Sequence, residues 1–211
     1  MSKSVYSLVL MDRLVEEVDR LAYTHGTSRS NMINQLLAES LSLTTPEKRM
    51  SDIFSHLENA IRMIDGFKLN LQQGDSMLSL QSSLRYKYNP TIRYQLALYR
   101  DQSDAFGELR VFFRTKSPAL LEHLTRFYIE WARLEQTVLG KNISYEISPN
   151  RFVRKLYTNE LSADAETLAD ACAKYITLFD SSLKLFFDDP ANIRLIGSRY
   201  AEYRRRNPLI Y

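Results

Sequence analysis

The chain has one cysteine, Cys172, in 211 residues, so it cannot close an internal disulfide, and a reducing, cytoplasmic setting is expected. Histidine is scarce too. His25, His56 and His123 fall in three separate segments, and no pair has the spacing of a metal site. No GxxxxGK phosphate loop, no GxGxxG and no GxSxG occurs. Carboxylates are plentiful, but Glu16, Glu17, Asp164 and Glu166 read as wet helix faces, and Asp188 and Asp189 before Pro190 read as a helix end. These absences leave no catalytic residue, no metal ligand and no cofactor to assign, and no enzyme is expected. No apolar run approaches the roughly 20 residues of a membrane span, and the start lacks the basic head and apolar stretch of a signal peptide. What remains is 45% hydrophobic and 25% charged, an ordinary balance for a chain that folds around a core.

The first 45 residues have the clearest organisation. Val5 to Leu10 alternates, with Tyr6, Leu8 and Leu10 at one parity and Val5, Ser7 and Val9 at the other, which predicts a strand with two distinct faces. Period two then gives way to period 3.6. Leu14, Val18, Leu21 and Ala22 make one helical stripe, Asp12 can cap it, and Gly26 ends it. Ser28 is a good N-cap for a second helix with the stripe Met32, Ile33, Leu36, Leu37 and Leu41, closed by Thr44, Thr45 and Pro46. A unit this short has too little apolar surface to fold alone, and a lone strand leaves its backbone groups unpaired, so a homodimer is expected.

The strand YSLVL, the helix LVEEVDRLA, the turn HGTSRS and the helix NMINQLLAESL together resemble the ribbon-helix-helix family of β-ribbon DNA readers. The resemblance covers about the first 43 residues. It implies that two chains pair their strands into an antiparallel ribbon that enters the major groove above a shared four-helix core. Carried over by position, Tyr6, Leu8 and Leu10 would face that core. Lys3, Val5, Ser7 and Val9 would face the bases, and Ser28, Arg29 and Ser30 would meet a phosphate at the opening of the second helix. The reading face carries two valines, which can touch a thymine methyl but cannot make the bidentate contacts that discriminate guanine or adenine. Residues 1–45 hold four basic side chains (Lys3, Arg13, Arg20, Arg29) against five acidic ones (Asp12, Glu16, Glu17, Asp19, Glu39), a net charge of −1, so the overall +3 leaves +4 on residues 46–211.

Those residues read as an α+β domain. Pro46 to about Phe67 has helical spacing, with Thr45 as cap, and FKLNLQQ is ambiguous. Three alternating runs follow: Leu78 to Tyr88, Ile92 to Leu98, and Leu109 to Phe113, which predict a three-stranded antiparallel meander. One face of it is apolar. The other carries Arg85, Lys87, Arg93, Gln95, Arg110, Phe112 and Arg114, read either as a solvated face or as an anion or partner face. Helices are then expected over Pro118–Leu139, around Arg151–Thr158, around Ala163–Phe187 with Ser162 as cap, and from about Pro190 to Arg206. Trp131 and Cys172 lie on apolar stripes and read as core. Arg204, Arg205 and Arg206 suit the helix dipole or an acidic contact.

The expected whole is α+β: residues 1–45 a ribbon-helix-helix module for dimerisation and DNA binding, residues 46–211 a helix-rich domain that senses, oligomerises or recruits. The function that follows is a dimeric, sequence-specific binder of double-stranded DNA, a transcriptional regulator such as a repressor, cytoplasmic and nucleoid-associated when bound. A protein partner or small effector at the second domain, and assembly beyond the dimer, stay open. Two other readings use the same residues. One is an adaptor whose ribbon only dimerises and whose second domain binds an acidic protein. The other is a plasmid partition or relaxosome accessory protein.

Overall fold

The computed structural model describes residues 5–70, 76–100, 105–140, 143–160 and 162–211. Two compact units divide the chain, Met1–Arg49 and Met50–Tyr211. The division falls inside the helix Pro46–Arg62 and not before it, because Met50, Ile53, Phe54, Leu57 and Ile61 are buried in the core of the larger unit.

In the smaller unit, α1 (Asp12–Thr24) and α2 (Arg29–Ser40) pack across a core of Val18, Ala22 and Met32, flanked by Leu21 and Ile33. Ser28 caps α2 by accepting a hydrogen bond from the Asn31 amide, as its place before the apolar stripe predicts. Asp12 is the first residue of α1 and not its cap, which falls on Met11 and brings no side-chain hydrogen bond. Residues 5–11 form no strand within the single chain, and their side chains stand almost entirely in solvent.

The larger unit is mixed helix and sheet. Its six-stranded antiparallel sheet is built from β1 (Lys68–Asn70), β2 (Met77–Ser83), β3 (Thr91–Leu98), β4 (Gly107–Phe113), β5 (Tyr145–Ser148) and β6 (Arg151–Leu156), in the order β1-β2-β3-β4-β6-β5. The three alternating runs of the sequence become β2, β3 and β4, adjacent in that order, although the first strand stops at Ser83 and residues 84–90 form the hairpin connection. The helix expected around Arg151–Thr158 is instead β6, which pairs with β5 through the turn Pro149–Asn150 and adds both strands beside β4. The physical reason is period two: Phe152, Arg154 and Leu156 all point inward, and a charged residue at the middle position masks the alternation.

Ile92, Tyr94, Leu96 and Leu98 of β3, with Leu109, Val111 and Phe113 of β4, bury one face of the sheet. Against it pack α3 (Pro46–Arg62), α4 (Pro118–Leu139) and α5 (Ala165–Asp188), with α6 (Ile193–Arg206) in the same core. Phe179 of α5 sits edge-on to Tyr94 at 6.2 Å, and Tyr128 of α4 stacks on Phe152 at 5.1 Å. Ser117 caps α4 with Pro118 in its first turn, and Gly140 stops it at a left-handed φ of 60°, where a side chain would be strained. Asp164, two residues past the expected Ser162, caps α5 through the Thr167 amide at 2.7 Å. No helix among the described residues is long and apolar enough to cross a membrane.

Candidate nucleic-acid interface

Each unit contributes one surface. In the smaller unit the extended segment and the helix pair leave much of their apolar surface uncovered. Val5 and Val9 are fully exposed, Tyr6 and Leu8 largely so, and Leu14, Leu36, Leu37 and Leu41 remain open to solvent on α1 and α2. Both parities of the segment are therefore wet in the single chain: Tyr6 and Leu8 of the side chains expected to face a core, with Leu10 half-buried, and all three expected to face bases. Lys3 lies outside the described residues.

At the opening of α2, Ser28 uses its hydroxyl as the cap, and Ser30 is exposed on the first turn. Arg29 turns back to Asp19 of α1, donating through Nε to Oδ1 at 2.6 Å with a second bond from its terminal nitrogen. That guanidinium holds the Asp19 carboxyl below its ordinary range. Arg29 is thus partly neutralised by its own unit, and the Asn31 amide is taken up by the Ser28 cap.

In the larger unit the sheet face opposite the helices carries the cations foreseen on β3 and β4. Arg93, Gln95, Arg110 and Phe112 all lie on it. Arg110 pairs with Glu108, which also accepts from the Tyr99 hydroxyl. Arg85 and Lys87 sit on the β2–β3 connection, and Arg114 directly follows β4. The C-terminal arginines have separate fates. Arg204 donates to the carbonyls of Asn207, Pro208 and Ile210 and ties down the tail, Arg206 pairs with Glu202, and Arg205 is exposed. The tail itself bonds to the chain after β6 through the backbones of Tyr157 and Tyr211.

Beneath the sheet lies a cluster with no counterpart in the sequence expectations. Glu135 of α4 and Arg154 of β6 form a buried ion pair, with Arg154 Nε donating to Glu135 Oε2 at 3.0 Å. Tyr145 donates to the same oxygen, and Tyr175 and Tyr200 donate to Oε1. Trp131 Nε1 donates in turn to the Tyr175 hydroxyl. A carboxylate so fully occupied by fixed donors has no lone pair free for a substrate, so the arrangement is a structural lock on α4, α5, α6 and the sheet. A smaller network joins Asp180, Tyr94, Lys184 and Ser82 across α5, β3 and β2. Periodicity could have exposed both carboxylates, since Glu135 is one turn from Trp131 on the apolar stripe and Asp180 lies between Phe179 and Leu183. Among the described residues no group of three or more His, Cys, Asp or Glu side chains is placed to hold a metal ion.

Comparison with protein-family models, with curated proteins and with solved structures gives no match to this chain.

Proposed function

We propose that this chain is a homodimeric DNA-binding protein of the ribbon-helix-helix kind, acting as a transcriptional regulator in the cytoplasm. Residues 5–10 of two copies pair as an antiparallel ribbon that enters the major groove, with Val5, Ser7 and Val9, and Lys3 beside them, toward the bases. Catalysis forms no part of this reading, and the larger unit serves sensing, assembly or recruitment.

One observation supports it above the others. Among its described residues the smaller unit buries only Val18, Ala22 and Met32, while Tyr6, Leu8, Leu14, Leu36, Leu37 and Leu41 stay exposed on the segment and helices of one copy. That is about half of a core. A second copy supplies the other half and at the same time gives residues 5–10 the backbone partners they lack.

The adaptor reading draws on a different observation: the net acidic charge of residues 1–45 and the ion pair that occupies Arg29. A binder whose affinity comes from neutralising phosphates is expected to be basic where it docks. The two readings part at Ser28. Replacing it by aspartate keeps a good capping side chain but sets a negative charge at the expected phosphate position. The DNA reading expects Ser28→Asp to lose affinity for its DNA site at least tenfold while remaining a dimer by sedimentation. Unchanged affinity would remove the phosphate site from the opening of α2.

A further inference from the structure

The larger unit carries an excess of positive charge, and the strand register shows where it collects. Lys68 pairs with Gln81, Gln81 with Arg93, Arg93 with Phe112, Phe112 with Arg151, and Arg151 with Ser148. These six residues form one cross-strand row over the whole sheet, on the face away from the helices. Neighbouring strands are about 4.8 Å apart, so Lys68, Arg93 and Arg151 stand roughly 10 Å from one another along a line of about 20 Å.

The same end of the sheet gathers more cations. The β2–β3 connection brings Arg85 and Lys87, and Arg114 continues the outward parity of Arg110 and Phe112 just past β4. Of these six cations only Arg151 has a carboxylate partner among the described residues, Glu146 at 3.6 Å. Elsewhere on this face the charge is balanced, as by Glu108 against Arg110. The positive field is therefore one-ended.

The connection holds a second feature. Tyr88 and Asn89 are consecutive non-glycine residues with left-handed φ of 68° and 43°, a costly backbone for a bulky side chain. It leaves Tyr88 89% exposed with the Lys87 ammonium 5.2 Å from its ring centroid. A strained, protruding aromatic beside the Lys87 ammonium is poorly explained by packing, since it lies outside the hydrophobic core.

We infer that this end of the sheet, centred on the Lys68–Arg93–Arg151 row and the Tyr88 tip, is a sequence-independent docking surface for the phosphate backbone of duplex DNA. Charge complementarity selects the occupant. A duplex presents about one negative charge per 1.7 Å of axis, a dense linear polyanion that meets an array of separated cations over the full width of the row. Phosphate contact also explains why the row carries no base-reading pattern: positioning needs charge, not a donor and acceptor code. The inference borrows from the ribbon reading only the identity of the polyanion, because the surface lies wholly in the larger unit.

The test uses the full chain and a fluorescent 30-base-pair duplex of random sequence, titrated from about 50 to 200 mM salt. The triple variant Arg93→Gln, Arg114→Gln, Arg151→Gln is expected to bind at least tenfold more weakly at the low-salt end. Its plot of log affinity against log salt is expected to flatten by about 2 to 3, near 0.9 for each phosphate contact removed. Trp131 fluorescence checks that the variant is folded. Glu146→Gln, which frees Arg151, is expected to bind more tightly than the parent and cannot do so by misfolding. The same affinity and slope in parent and triple variant would overturn the inference. So would a triple variant that loses a poly-glutamate ligand but not the duplex, since the occupant would then be an acidic protein. Ser28→Asp, which removes a phosphate contact of the ribbon module, is expected to weaken the DNA site and random duplex alike, and adding the triple change to it is expected to weaken random-duplex binding by the same further factor as in the parent, which separates this surface from the ribbon.

Discussion

Arg154 donates to Glu135 across 3.0 Å with both side chains out of water, and that pair ties the β4–β6 side of the sheet to the helical layer. A buried ion pair is weak evidence of net stabilisation, because desolvation offsets the attraction, but breaking one partner strands the other. Arg154→Met is therefore expected to destabilise the larger unit by about 3–5 kcal/mol. Adding Glu135→Gln is expected to restore part of that, since the amide oxygen can still accept from Tyr175 and Tyr200 while the buried charge is gone. Urea unfolding followed at Trp131, the one tryptophan and a member of the cluster, measures both.

The tyrosines of this cluster set an alkaline limit. Burial, reinforced by the Glu135 charge, pushes the hydroxyls of Tyr145 and Tyr200 well above the ordinary tyrosine range. Tyr175 is shifted the same way, first by burial. A group with a raised folded pKa contributes stability that is complete below its unfolded pKa of about 10 and is lost as pH rises toward the folded value. Stability is expected to fall above about pH 10, with the phenolate absorbance of these residues rising together with loss of the fold. A phenolate signal from them that precedes unfolding would contradict their burial.

Cys172 gives a simpler readout. It is buried, and burial pushes its thiol up to about 12, so little thiolate exists near neutral pH. Thiol reagents are expected to leave it unmodified in the native protein and to react at once in denaturant. Modification at the native rate of an exposed cysteine would contradict its place on the inner face of α5.

In the smaller unit, Leu37 is 51% exposed within one copy, so Leu37→Glu should cost a lone copy little. The dimer reading expects much more from it: at least tenfold weaker self-association by sedimentation, with loss of helical circular dichroism as the half-core opens. A variant that dimerises like the parent would place the partner surface elsewhere.

How far the chain could be read in advance depended on whether a single periodicity stood uninterrupted. α4 is bounded by Ser117, Pro118 and Gly140, three local signals that need no tertiary information, and its limits follow from them. β2, β3 and β4 follow from alternation. β6 did not, because Arg154 occupies a core position that only the distant Glu135 makes tolerable. The same long-range pairing hid the Tyr145, Tyr175 and Tyr200 donors, which come from three separate elements. The basic end of the sheet was half legible: the parity of Arg93, Arg110 and Arg114 lay in the sequence. The addition of Lys68 and Arg151 waited on the register, whereas Glu108, two residues before Arg110 on the same strand, shares its face by alternation alone.

The most direct measurement is binding of the whole chain to the DNA flanking its own gene and to random duplex, across a salt series, with sedimentation on the same samples. The account predicts a dimer that binds the flanking DNA at least a thousandfold more tightly than random duplex at physiological salt, the weaker binding being the steeper in salt. A dimer that binds the two alike, or neither, would contradict sequence-specific reading by the ribbon and leave residues 5–10 as a clasp between copies.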